Sequence, residues 1–165
     1  MNSTFDLRRR SLVAALGLAC ITPPLRAEEH PGGHIHGVER FDAQTWARLL
    51  RSGARPAAYV FTTTYCPTCP DVFDLLHATV SARRQRVELV AVVMDAQGAR
   101  ALTHARHYAG ATRLYAFDGF EPEIRHAVDP KWRNITPYVV LIGRRGADQR
   151  IIGPPDAKQL KAWLA

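Results

Sequence analysis

Four stretches of the chain are mostly apolar, and segments of helical period separate them. "AAYVFTTT" begins at Ala57, "VELVAVVMD" at Val87, "TRLYAF" at Thr112 and "YVVLIG" at Tyr138. Runs this short, rich in Val, Ile and aromatics, read as strands buried on both faces. A weaker alternation in "IHGVERF" adds a short strand ahead of them, and "QRIIG" a strand after the turn "RRGAD". Helical patterns fill the gaps. Asp42 can cap "AQTWARLL", and "DVFDLLHATVSARRQ" places Val72, Leu75, Leu76 and Val80 on one face. "GARALTHARHYAG" sets Leu102, Ala105 and Tyr108 along one side. Pro122 suits the first turn of "EPEIRHAV", and Leu160, Trp163 and Leu164 face inward from "PDAKQLKAWLA".

Strands that alternate with helices predict an α/β layered fold, a central mixed sheet flanked by helices. The terminal hairpin adds its antiparallel edge. Neither an internal repeat nor a low-complexity tract interrupts the pattern.

The first residues read as an address instead. Arg8, Arg9 and Arg10 precede an apolar run from Leu12 to Ile21, and a short polar segment ends at Ala27. This is the layout of a secretory signal peptide. The run is shorter than the about 20 residues that span a bilayer. "RRRSLV" also resembles a twin-arginine export signal, a secondary reading. Gly17 stands where a lipoprotein signal ahead of Cys20 carries Leu, so Cys20 is expected to leave with the leader. The expected organisation is a signal peptide over 1–27, a polar tail over 28–34 and one domain over 35–165, exported to the periplasm.

The leader changes the charge picture. The whole chain carries a net charge of +7; without residues 1–27, 18 basic and 14 acidic side chains remain, a net +4. With no clustered basic face, that balance does not point to nucleic acid. Two cysteines also remain, Cys66 and Cys69, in a compartment expected to be oxidising.

The pair ends the strand "AAYVFTTT" and opens the following helix. A helix N-terminus presents unpaired N–H groups and partial positive charge, which favour a thiolate. Cys66 is therefore the expected nucleophile, with Cys69, one turn on, as the resolving thiol. Pro67 is expected at the first helical position; Tyr65, Thr68 and Pro70 flank the pair. A purely stapling disulfide would close a loop too small to stabilise much. A zinc site would want a second such pair. Cys-x-x-C after a strand in a βαβ pattern reads as a redox motif.

On "AAYVFTTTYCPTC", the Thr136–Pro137 turn and the final "YVVLIGRRGADQRIIG" hairpin, the chain resembles the thioredoxin superfamily over about residues 35–165. It looks most like the exported branch, the thioredoxin-like proteins of cytochrome c maturation. That resemblance implies a thioredoxin-like fold with an extra helix–strand insertion at about 97–117. It implies a thiol–disulfide oxidoreductase with Cys66 and Cys69 as its catalytic pair and no further cofactor. Pro137 would be the cis proline of a substrate-docking loop with Thr136. Partners would be protein thiols or disulfides and a membrane electron donor or acceptor.

The chain departs from thioredoxins at two positions. Thioredoxins carry a buried acid six residues before the first cysteine, and Val60 stands there. Tyr65 replaces the usual Trp. "TYCPTCPDVF" is also similar to the copper chaperones of cytochrome oxidase assembly (SCO-type). Those have three residues between their cysteines and a distant histidine ligand, near where Thr136–Pro137 falls here. Both departures favour dithiol exchange over that copper site; the histidines of "HPGGHIH" keep an alternative reading, copper binding by Cys66 and Cys69 with His30, His34 and His36. The sequence leaves open whether His77 and His126 approach the site, and whether Trp132 flanks it or is core.

Overall fold

The computed structural model describes residues 35–83 and 85–165. The leader, Cys20, His30 and His34 lie outside these residues. The elements are β1 (Glu39–Phe41), α1 (Thr45–Ser52), β2 (Ala57–Thr62), α2 (Cys69–Arg83), β3 (Glu88–Val93) and α3 (Gly98–His104). A 3-10 turn (Ala105–His107) leads on to β4 (Arg113–Phe117), α4 (Glu121–Val128), β5 (Tyr138–Ile142), β6 (Asp148–Ile152) and α5 (Ala157–Trp163).

The six strands form one mixed sheet in the order β1-β4-β3-β2-β5-β6. β1, β4, β3 and β2 run parallel; β5 is antiparallel to β2, and β6 to β5. The insertion thus puts its strand, β4, between β1 and β3. β2 is buried along its whole length, as its position between two strands and two helical layers demands.

Side chains alternate across β2. Ala58 and Val60 face a core built with Phe73, Leu76, Tyr108 and Trp163. Tyr59 and Phe61 face the opposite core with Phe41, Trp46, Trp132 and Tyr138. Phe61 is the hub of that second core. Its ring lies 5.0 Å from Trp132, 5.6 Å from Phe41 and 6.1 Å from Tyr138. Such edge-to-face and tilted pairs add to the stabilisation that burial alone supplies.

Three local expectations change. The first strand does not extend over 35–41; only Glu39–Phe41 finds a partner, pairing with Tyr115–Phe117 of β4. Helix α2 begins at Cys69, so Pro67 stands in the turn ahead of it and not at the first helical position. Its buried face runs Cys69, Val72, Phe73, Leu76, Val80. Leu75 is exposed, and Phe73 takes the inward place expected of it. Asp42 does serve the start of α1, accepting the N–H groups of Gln44 (3.0 Å) and Thr45 (2.8 Å).

A half-buried ion contributes to stability. Asp129 follows α4 and accepts the Tyr138 hydroxyl at 2.5 Å and the Lys131 N–H at 2.8 Å. Burial alone would raise its pKa, but these hydrogen bonds and the Arg150 and Lys131 charges outweigh it and hold the carboxyl below its usual 3.8. A depressed carboxylate contributes stability that is complete above its unfolded pKa and fades as pH falls through the folded one. Asp129→Asn is expected to cost about 1–2 kcal/mol at neutral pH. That cost should shrink below pH 3.8 in urea unfolding at a series of pH values. An equal cost at every pH would mean that the charge contributes nothing.

Candidate active site: the Cys66–Cys69 disulfide

β2 leaves the sheet at Thr62 and passes through the loop Thr63–Thr68 into α2. Asp95, just past β3, fastens this loop by accepting the Thr64 N–H at 2.8 Å and its hydroxyl at 2.5 Å. The Cys66 N–H then returns to the Thr63 carbonyl at 3.2 Å. The two cysteines are joined, with an S–S distance of 2.02 Å. Cys66 retains 8% exposure, whereas Cys69, the first residue of α2, has none. The rim is open: Tyr65 is 76% exposed, Pro67 and Thr68 are exposed, and Pro70 is half-buried.

The second predicted element arrives from β5. Phe61 of β2 pairs with Tyr138, so Pro137 stands beside the end of β2, where the cysteine loop starts. The Thr136–Pro137 peptide is cis. Pro137 is buried and its carbonyl accepts the Gly153 N–H at 2.9 Å; Thr136 is half-buried and Ile135 is 48% exposed. Trp132 braces this turn. It is core, stacked on Tyr138 with ring centroids 4.3 Å apart, and its indole N–H binds the Ile135 carbonyl at 3.0 Å.

The remaining candidates do not converge on the disulfide. His36 is exposed ahead of β1, at the N-terminal ends of the parallel strands, whereas the disulfide lies at their C-terminal ends. The His77 ring packs over Gly110, and His126 is exposed on α4. Among the described residues no group of three His, Cys, Asp or Glu side chains is arranged to hold a metal ion.

Val60 is fully buried on the α2 face of the sheet. Two residues on, Thr62 projects from the same face, and its hydroxyl is 2.6 Å from that of Tyr108. Tyr108 in turn lies 3.2 Å from His104 Nε2. Sequence reading missed Thr62, Asp95 and His104 as site residues and saw Tyr108 only as core. Nothing in their local pattern distinguishes them.

No protein-family model matches the chain, and no curated protein matches it in sequence. Solved structures do match in shape. The chain is similar to a thio-disulfide isomerase from Thermus thermophilus, with a TM-score of 0.50 and 20% identity over 68% of this chain and 79% of that one. It is also similar to a secreted Mycobacterium tuberculosis disulfide oxidoreductase homologous to E. coli DsbE. The TM-score there is 0.45, with 20% identity over 65% of this chain and 75% of that one. A thioredoxin-related protein from Neisseria meningitidis serogroup B matches with a TM-score of 0.47 and 15% identity, over 67% and 85%. The fold is thioredoxin-like, and the disulfide stands at the C-terminal end of its central strand.

Proposed function

We propose that the protein is an exported thiol–disulfide oxidoreductase that exchanges electrons with partner proteins through Cys66 and Cys69. The observation that carries this reading is the unequal burial of two bonded cysteines at a strand–helix junction beside Pro137. An accessible sulfur can be attacked or can attack; a buried one beside it can resolve.

In the reducing direction, the Cys66 thiolate attacks one sulfur of a partner disulfide. A Cys66–partner bond forms, and the other partner sulfur leaves as a thiolate and takes up a proton. Cys69, deprotonated, then attacks Cys66 Sγ. The Cys66–Cys69 disulfide forms, the second partner sulfur leaves, and two electrons have passed to the partner. Exposed Ile135 and Tyr65, with half-buried Thr136 between Ile135 and Pro137, would receive the partner chain. The pair must then be reduced again, which in an oxidising compartment calls for a membrane electron donor. Run backwards, the same steps oxidise a partner dithiol. Export rests on the arginine-led apolar leader ahead of the domain.

The test is reduction of insulin by dithiothreitol, followed as turbidity, with and without catalytic amounts of the purified protein. Acceleration that disappears in Cys66→Ser supports the reading. A rate no higher than that of the Cys66→Ser protein, in both this assay and refolding of scrambled ribonuclease, removes it.

A further inference from the structure

The strand position that carries a buried acid in thioredoxins is Val60 here, so no carboxyl adjoins the pair from that position. The nearest polar group along the same face of β2 is Thr62, with Tyr108 and His104 behind it. Both of these side chains come from the inserted segment between β3 and β4.

The hydrogen-bond directions follow from which atoms still have a proton to give. The Thr62 hydroxyl donates to the Thr63 carbonyl at 3.2 Å. Tyr108, 1% exposed and pushed up to about 12 mainly by burial, keeps its proton and donates it to Thr62 Oγ1 at 2.6 Å. Tyr108 Oη is then left to accept, so His104 Nε2, 3.2 Å away, carries the ring proton and donates. Donors therefore run from the imidazole through Tyr108 and Thr62 to the Thr63 carbonyl, which also accepts the Cys66 N–H and interacts with His104 directly. Such chains strengthen cooperatively in low-dielectric surroundings.

Resting on the reading of Cys66–Cys69 as the reactive pair, we propose that His104 is a positioning residue. By gaining a proton at Nδ1 it stabilises the Cys66 thiolate through the Tyr108–Thr62–Thr63 chain and makes that thiolate responsive to pH. The ring is half-buried against Tyr108, and exposed His107 lies tilted against it with ring centroids 5.0 Å apart, which gives protons a route from solvent. Tyr108 faces the ring and keeps its proton. Burial, His107 and Arg106 disfavour the imidazolium; Asp95, from the end of β3, and the Thr63 carbonyl favour it. The balance lies below the ordinary histidine value, so in the disulfide form the ring gives up its second proton more readily than an ordinary histidine. Reduction places a negative charge on Cys66 and tips the balance toward the imidazolium. By linkage, the imidazolium in turn favours the thiolate.

The test uses a small reagent, so that it does not depend on any partner protein. The fully reduced protein is alkylated with iodoacetamide from pH 4.5 to 8.5, and the rate at Cys66 is read by mass spectrometry. His104→Gln keeps a donor to Tyr108 but cannot titrate; Tyr108→Phe keeps the packing on Phe73 but cuts the chain. At pH 5 the unaltered protein is expected to react about threefold faster than either variant, about half a unit of thiolate pKa. Above pH 8 the three rates should converge. A purely structural role would change rates by the same factor at every pH, and that result overturns the proposal. So does a Tyr108→Phe protein that keeps the full pH 5 excess. If insulin reduction fails while the pH 5 excess is present, the partner-exchange reading falls and the His104 coupling stands.

Discussion

Replacing Cys69 by serine is expected to leave partner proteins covalently attached to Cys66. The accessible sulfur can still attack a partner disulfide, but the fully buried group that would attack Cys66 in turn is gone. Release then depends on an outside thiol, and multiple-turnover reduction should fall by on the order of a hundredfold or more. The adducts should appear as bands of higher mass on non-reducing gels and collapse with dithiothreitol. Cys66→Ser, which presents only the buried sulfur, should form few. The opposite pattern, with adducts in Cys66→Ser and none in Cys69→Ser, would reverse the assigned roles. The prediction draws on burial because both cysteines sit in the same turn, and accessibility is the difference between them.

Trp163→Ala is expected to cost about 3–5 kcal/mol of stability, near the upper end for one side chain. The indole is 1% exposed at the end of α5. It fills the core between that helix and the sheet, and its N–H lies 3.0 Å from the Ala57 carbonyl and 3.2 Å from that of Ile142. These two carbonyls belong to the paired ends of β2 and β5, so one side chain ties α5 to the strand that leads to the cysteines. Removing it leaves a cavity and takes the donor from both acceptors. Trp163→Phe separates the two effects, because it restores most of the volume without the N–H, and should cost about 1–2 kcal/mol. Urea unfolding followed by circular dichroism measures both. A Trp163→Ala protein within about 1 kcal/mol of the original would show that α5 is not held by this contact.

Much of this fold is legible along the chain because its central strands are buried on both faces. β2, β3 and β5 read as continuous apolar runs, a pattern that helices of this size do not share. The strand–helix alternation then implies a mostly parallel sheet. Misreadings occur where a contact from elsewhere decides a local choice. β1 is short because only three of its residues meet β4. Phe73 replaces Leu75 in the core because the face of α2 that packs on the sheet runs through Cys69, Val72, Phe73, Leu76 and Val80. Residue type alone left Trp132 ambiguous; its stacking on Tyr138 makes it core and, through Ile135, a support for the turn before Pro137.

The site divides in the same way. The spacing of Cys66 and Cys69, and their position between a strand and a helix, are properties of adjacent residues, and the chain itself determines them. It also determines that Val60, at the position of the thioredoxin acid, is apolar. Only the tertiary structure decides which polar groups lie beside it. Thr62 and Tyr108 are 46 residues apart, and His104 lies on a helix whose strand, β4, inserts between two others. Sequence periodicity reports which face of an element is apolar. It carries no record of which loop ends meet, because sheet order is set by the packing of all the strands together. The cysteine pair is therefore written in the chain, while the hydrogen bonds among His104, Tyr108 and Thr62 form only once the sheet has closed around β4.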